Sequence, residues 1–140
     1  MATTTATISI SSNDLLSSPL SLSASTECMK AGTTIGLDMV ESGRGILLVA
    51  DGSKTLKLAT AAGDNTAAKV YLCNKATDST FYIDVDIHDQ RLGRLYAGDW
   101  MFIPWSQHDT DAALVIEAEG GTCEYEWAIF KEGETLVAGA

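Results

Sequence analysis

The first seventy residues contain no aromatic side chain, and the chain is poor in proline (two), cysteine (three), histidine (two) and basic residues (nine, against nineteen acids). Each shortage closes a route. Nine bases scattered through a chain of formal net charge -10 cannot form the Lys/Arg cluster that a phosphate backbone needs, so no direct nucleic-acid partner is expected. Cys28, Cys73 and Cys123 are odd in number, widely spaced and without a CxxC, which fits neither a disulfide framework nor a zinc site. No stretch approaches the roughly 20 apolar residues of a membrane span. The N-terminus has neither the basic segment nor the apolar run of a secretory signal, so the expectation is a protein made in a cytoplasm, with no membrane partner. No segment longer than two turns carries a 3.6-residue apolar repeat, which leaves an all-β chain.

What is present is concentrated. All ten aromatics lie between Tyr71 and Phe130, so the principal core belongs there. In Cys123 to Phe130 the odd positions (Cys123, Tyr125, Trp127, Ile129) point one way while Glu124 and Glu126 point the other, the two-residue period of a half-buried strand. Cys123 then reads as a small buried hydrophobe. Charge is uneven too. Residues 1–60 hold five acids and four bases, a net of -1, and residues 61–140 hold fourteen acids and five bases, a net of -9.

Thirteen of the first 26 residues are Ser or Thr. Within them Thr7-Ile8-Ser9-Ile10 and Leu20-Ser21-Leu22-Ser23 alternate polar with apolar around a Ser-Asn-Asp turn, predicting two short strands. Residues 1–26 therefore form an arm, added to the sheet of its own subunit or laid on a neighbour through Ile8, Ile10, Leu20 and Leu22. The competing reading is a floppy terminus. Residues 27–140 form one domain, a normal size for a single core. Strands are predicted at 34–39 and 46–50, with Gly43-Arg44-Gly45 as a flexible break between them. Asp51-Gly52 predicts a tight hairpin into Thr55 to Leu58, with Leu56 and Leu58 facing in and Lys57 out. Residues 59–68 read as a loop. Further strands follow at 69–74, 81–88 (Asp84, Asp86 and His88 outward), 91–96 and 100–105, and a final hairpin joins 113–118 to 123–130 through Gly120-Gly121. About ten short strands predict an antiparallel β-sandwich of jelly-roll kind.

Candidate chemistry is thin. Asp84, Asp86 and Asp89, with Asp109 and Asp111, are the acids from which a Ca²⁺ site would be drawn, yet DxDxDG is absent and alternation alone puts Asp84 and Asp86 on a wet face. The two histidines, His88 and His108, stand in no HxH or HxxxH spacing, and there is no GxSxG. Carboxylate pairs from Glu117, Glu119, Glu124 and Glu126 read as solvated faces. The expectation is no enzyme, no cofactor and no metal. Trp100 to Trp105 is apolar on both faces, so its second face needs another layer or another subunit. Tyr96, Trp100 and Trp105 suit stacking on sugar rings or sealing a subunit interface. They sit beside Met101, Ile103 and Pro104 in one apolar strip, which favours the interface or the core.

Three stretches carry a resemblance: Lys69-Val70-Tyr71-Leu72-Cys73-Asn74, then Tyr96 to Trp105 with its Gly98-Asp99-Trp100 turn, then Gly121-Thr122-Cys123-Glu124-Tyr125 through Phe130. Over residues 69–132 the chain resembles small virion structural proteins of tailed bacteriophages, which pair a VYIKN-like strand with a Gly-acid-aromatic turn and close on a GT-x-EY-x-x-F-like strand. It departs from them at Cys73 and at the acidic Asp84/Asp86 face. The resemblance implies a β-sandwich of the capsid decoration (cement) type on the virion surface, often trimeric, whose partner is the major capsid protein. A tail or fibre component and a carbohydrate-binding module are the alternatives.

Overall fold

The structure, a computed structural model, describes residues 3–57, 68–105 and 113–132. Leu58, His108, Asp109, Asp111 and most of the expected 59–68 loop lie outside the described residues. Among the described residues ten strands follow one another: β1 Thr5–Ser12, β2 Leu20–Glu27, β3 Met39–Leu47, β4 Lys54–Lys57, β5 Ala68–Asn74, β6 Tyr82–Ile87, β7 Gln90–Tyr96, β8 Trp100–Pro104, β9 Leu114–Glu119 and β10 Cys123–Lys131. The last eight form two four-stranded antiparallel sheets, in the orders β3-β10-β5-β8 and β4-β9-β6-β7. Two sheets that exchange strands in this way are a jelly roll. Among the described residues β1 and β2 pair only with each other, as a separate hairpin.

Alternation builds the core. Val70 and Leu72 of β5 and Tyr125 and Ile129 of β10 meet Ile83 and Val85 of β6 and Leu114 and Ile116 of β9, all buried. These side chains leave water between two sheets about 10 Å apart, the ordinary spacing of a sandwich. Trp105 belongs to the same cluster at 3% exposure, and its N–H donates to the Ala68 carbonyl at 3.0 Å. That corrects its expected place at a subunit contact: Met101 and Ile103 pack against the core, so the residue after Pro104 on the same parity points inward as well.

The expected break at Gly43-Arg44-Gly45 is instead the middle of β3. Gly45 pairs with Tyr125 and Gly43 with Trp127. A Cβ on Gly45 would lie 2.5 Å from the Tyr125 hydroxyl, and one on Gly43 would lie 3.1 Å from Trp127 Nε1. The two glycines make room for the rings that cross them. Two predicted hairpins are corners. β3 and β4 join different sheets across Asp51-Gly52, with a 3-10 turn at Val49–Asp51, and β9 and β10 likewise part at Gly120-Gly121. The tight hairpin of the sandwich is β6–β7, where His88 and Asp89 carry φ of 55° and 58°, the pair of positive angles of a type I′ turn.

Candidate functional site

In the β1–β2 hairpin the register sorts residues by chemistry. Ile8 faces Ala24, Ile10 faces Leu22 and Ser12 faces Leu20, while Thr7 faces Ser25, Ser9 faces Ser23 and Ser11 faces Ser21. One face is therefore apolar and the other a ladder of hydroxyls, with Thr7 Oγ1 and Ser25 Oγ 3.1 Å apart. The fold leaves the apolar face largely uncovered: Ile8 is 39%, Ile10 47% and Leu22 53% exposed, and Leu15 at the tip 72%. Within the arm predicted at residues 1–26, β1 and β2 form a hairpin beside the chain's own sandwich and pair with neither of its described sheets. At its base Cys28 donates its N–H to the Thr4 carbonyl at 2.8 Å, and buried Cys28 and Leu37 tie the hairpin to the start of the sandwich.

Opposite the hairpin base lies the outer face of β10, β5 and β8. Because Met101 and Ile103 turn inward, Trp100, Phe102 and Pro104 turn outward, where they pair with Cys73, Tyr71 and Lys69. The Phe102 and Phe130 rings meet at 6.5 Å. Between this face and Ala6, Ile8, Ile10 and Ala24 opens a cleft of about 920 Å³, bounded also by Tyr71 and Trp100, and among the described residues no charged side chain lines it. The outer half of the doubly apolar strand thus meets the chain's own arm across a gap. Pro104 is exposed at the end of β8, and Trp100 is 49% exposed.

At the margin of the apolar patch Tyr71 donates to Glu126 Oε1 at 2.8 Å, with Arg44 and Lys75 at 3.4 and 3.5 Å from the same carboxylate. Burial, then that hydrogen bond, pushes the Tyr71 phenol above its usual range. The donated bond, helped by the two cations, holds Glu126 below the usual carboxylate range.

The three stretches on which the resemblance rests, far apart in sequence, become the adjacent strands β10, β5 and β8. Their link is Asn74, which sequence reasoning passed over. Fully buried, it donates through Nδ2 to the Leu95 carbonyl at 2.8 Å and accepts the Ala76 N–H on Oδ1 at 2.9 Å, while its backbone carbonyl takes the Gly98 N–H at 2.8 Å. A lone Asn at a strand end gives no sign of this without the partner strand.

Tyr96 does not share the strip with Trp100. It projects from the opposite sheet, where its ring tilts against Tyr82 at 5.1 Å. The two rings therefore make no common sugar platform. The wet face expected for Asp84 is also corrected. Asp84 is 5% exposed, not on a wet face, and is clamped by Arg91 at 2.9 Å and Arg94 at 3.2 Å, while Asp86 pairs with Arg91. A bulge after Val85 turns Arg91 to the same side as Arg94, which stacks 4.5 Å over Tyr82. Asp89 stands at the turn tip, and among the described residues no three His, Cys, Asp or Glu converge to hold a metal. Burial pushes the Cys123 thiol up, away from reactivity. No family model, curated protein or solved structure matches the chain.

Proposed function

We propose that this chain is a non-enzymatic virion structural subunit of the capsid-decoration type, which oligomerises and docks on the major capsid protein through its hairpin arm. The observation that carries the reading is the apolar hairpin face its own fold leaves uncovered. A two-stranded hairpin alone is marginal in water and gains stability when a further layer covers its apolar side. Soluble monomers seldom leave such a contiguous face bare unless it serves an interaction. The arrangement of β10, β5 and β8, built from the stretches that resemble phage virion proteins, supports the same assignment. Jelly rolls serve viral capsids and lectins alike, so the arm carries more of the argument than the fold.

Deleting residues 2–26 should lower occupancy on purified particles by about thirtyfold or more, the loss expected of an interface hot spot. The sandwich should keep its melting transition. Copies per particle are read by mass spectrometry, and undiminished occupancy of the truncated chain would remove the proposal.

A further inference from the structure

Both strands of the arm are fastened at one residue. Cys28 follows β2 directly, donates its N–H to the Thr4 carbonyl at 2.8 Å and accepts the Leu37 N–H at 2.9 Å on its own carbonyl. A rung to the start of β1 and a rung to the segment entering β3 therefore meet there. The ladder goes on, with Met29 bridging Gly36 and the Lys30 N–H donating to the Ile35 carbonyl at 2.7 Å. Thr33 closes the turn: its hydroxyl donates to the Lys30 carbonyl and accepts the Ile35 N–H, each at 3.1 Å. Gly32 sits in that turn at a φ of 69°, where a side chain would be strained. Lys30 Nζ and Asp38 Oδ2, 2.8 Å apart, link the two sides, and Cys28 and Leu37 are both buried.

We infer that residues 28–38 are a clasp that fixes the direction of the arm, so that the arm reaches its partner already aimed. A hairpin hung on a single strand would swivel about the two soft dihedrals of each linking residue. Here β2 is held by the chain itself and β1 by the Thr4 rung, so the arm cannot turn about either strand alone. Among the described residues β1 and β2 pair with neither sheet, and the ladder through Cys28 is what joins arm to sandwich. The exposed Ile8, Ile10 and Leu22 are then presented at one angle in every copy. A surface ordered before it binds avoids the conformational entropy that a loose tether gives up on docking. This rests on the arm being the docking element, and adds how it is presented.

Spin labels report the angle directly. One goes on the arm at Ser23→Cys and the other on β7 at Leu92→Cys; both positions are exposed, and Cys28, Cys73 and Cys123 are buried. Pulsed electron–electron distance measurement should give one narrow distribution in the otherwise unaltered chain. Asp38→Lys, which sets two cations together, should broaden it, and adding Lys30→Asp should narrow it again. Leu37→Ala should broaden it without any change of charge. Thr33→Ala, which removes both hydroxyl bonds, takes its place should circular dichroism show that Leu37→Ala fails to fold. A broad distribution in the unaltered chain, or one that none of these variants widens, overturns the clasp. On purified particles the widened variants should bind about tenfold more weakly, and the charge-swapped pair should recover. Full occupancy by a widened variant overturns the aiming of the arm for docking. If deletion of residues 2–26 leaves occupancy undiminished the proposed function falls, while the distance distributions still decide the clasp.

Discussion

At the scale of single residues the determinants are a few side chains whose neighbours come from distant strands. Trp105 packs in the core, so Trp105→Ala should cost about 3–5 kcal/mol in urea unfolding; a cost near zero with altered assembly would return Trp105 to an interface. Asn74→Ala removes the partners of the Leu95 carbonyl and the Ala76 N–H, and each buried group left unsatisfied costs about 1–3 kcal/mol. A loss under about 0.5 kcal/mol would mean that the turn between β7 and β8 does not depend on it. The Tyr71–Glu126 pair sets an acid dependence. Glu126 has a folded pKa below its unfolded value, so its contribution is complete above the unfolded carboxylate value of about 4.3 and fades as pH falls through the lower folded one. Tyr71→Phe should therefore melt below the wild type at about pH 6, above the unfolded carboxylate value, and approach it near pH 3, below that value. An equal offset at both values would exclude the pair as the cause.

At the scale of elements, local signals marked strands well and their connections poorly. Alternation along Phe81 to His88 and Cys123 to Phe130 is legible because Ile83 and Val85 of one strand and Cys123, Tyr125 and Ile129 of the other turn to the core on one parity. Asp51-Gly52 and Gly120-Gly121 mark sharp changes of direction, yet a glycine supplies a positive φ equally for a hairpin and for a corner between sheets. The partners decide: β3 and β10 pair along nine residues, as β4 with β9 pairs in the other sheet, and these long-range ladders outweigh the local turn. His-Asp went unread as a turn because it lacks the glycine of the Asn-Gly or Asp-Gly pair that marks a type I′ hairpin. Asp89→Gly should relieve its positive φ and raise stability by about 0.5–1 kcal/mol in thermal unfolding, and no gain would mean that the side chain offsets the backbone cost.

At the scale of the whole molecule, charge and shape divide the labour. Residues 61–140 carry a net charge of -9, which repels other copies, while the described lining of the cleft carries no charged side chain. Raising salt from about 10 to about 100 mM shortens the screening length from about 30 to about 10 Å. Self-association measured by sedimentation should tighten across that range. Weakening would mean that opposite charges, not apolar surfaces, hold the contact.

Period-two patterning made the chain all-β and gave the arm its two strands, because which face a residue turns to the core follows from position along a strand alone. Which sheet each strand enters, where Trp105 points, what Asn74 holds and why Asp84 is buried were decided only by the tertiary structure. Those outcomes depend on which distant strand lies alongside, and local sequence carries no record of that neighbour.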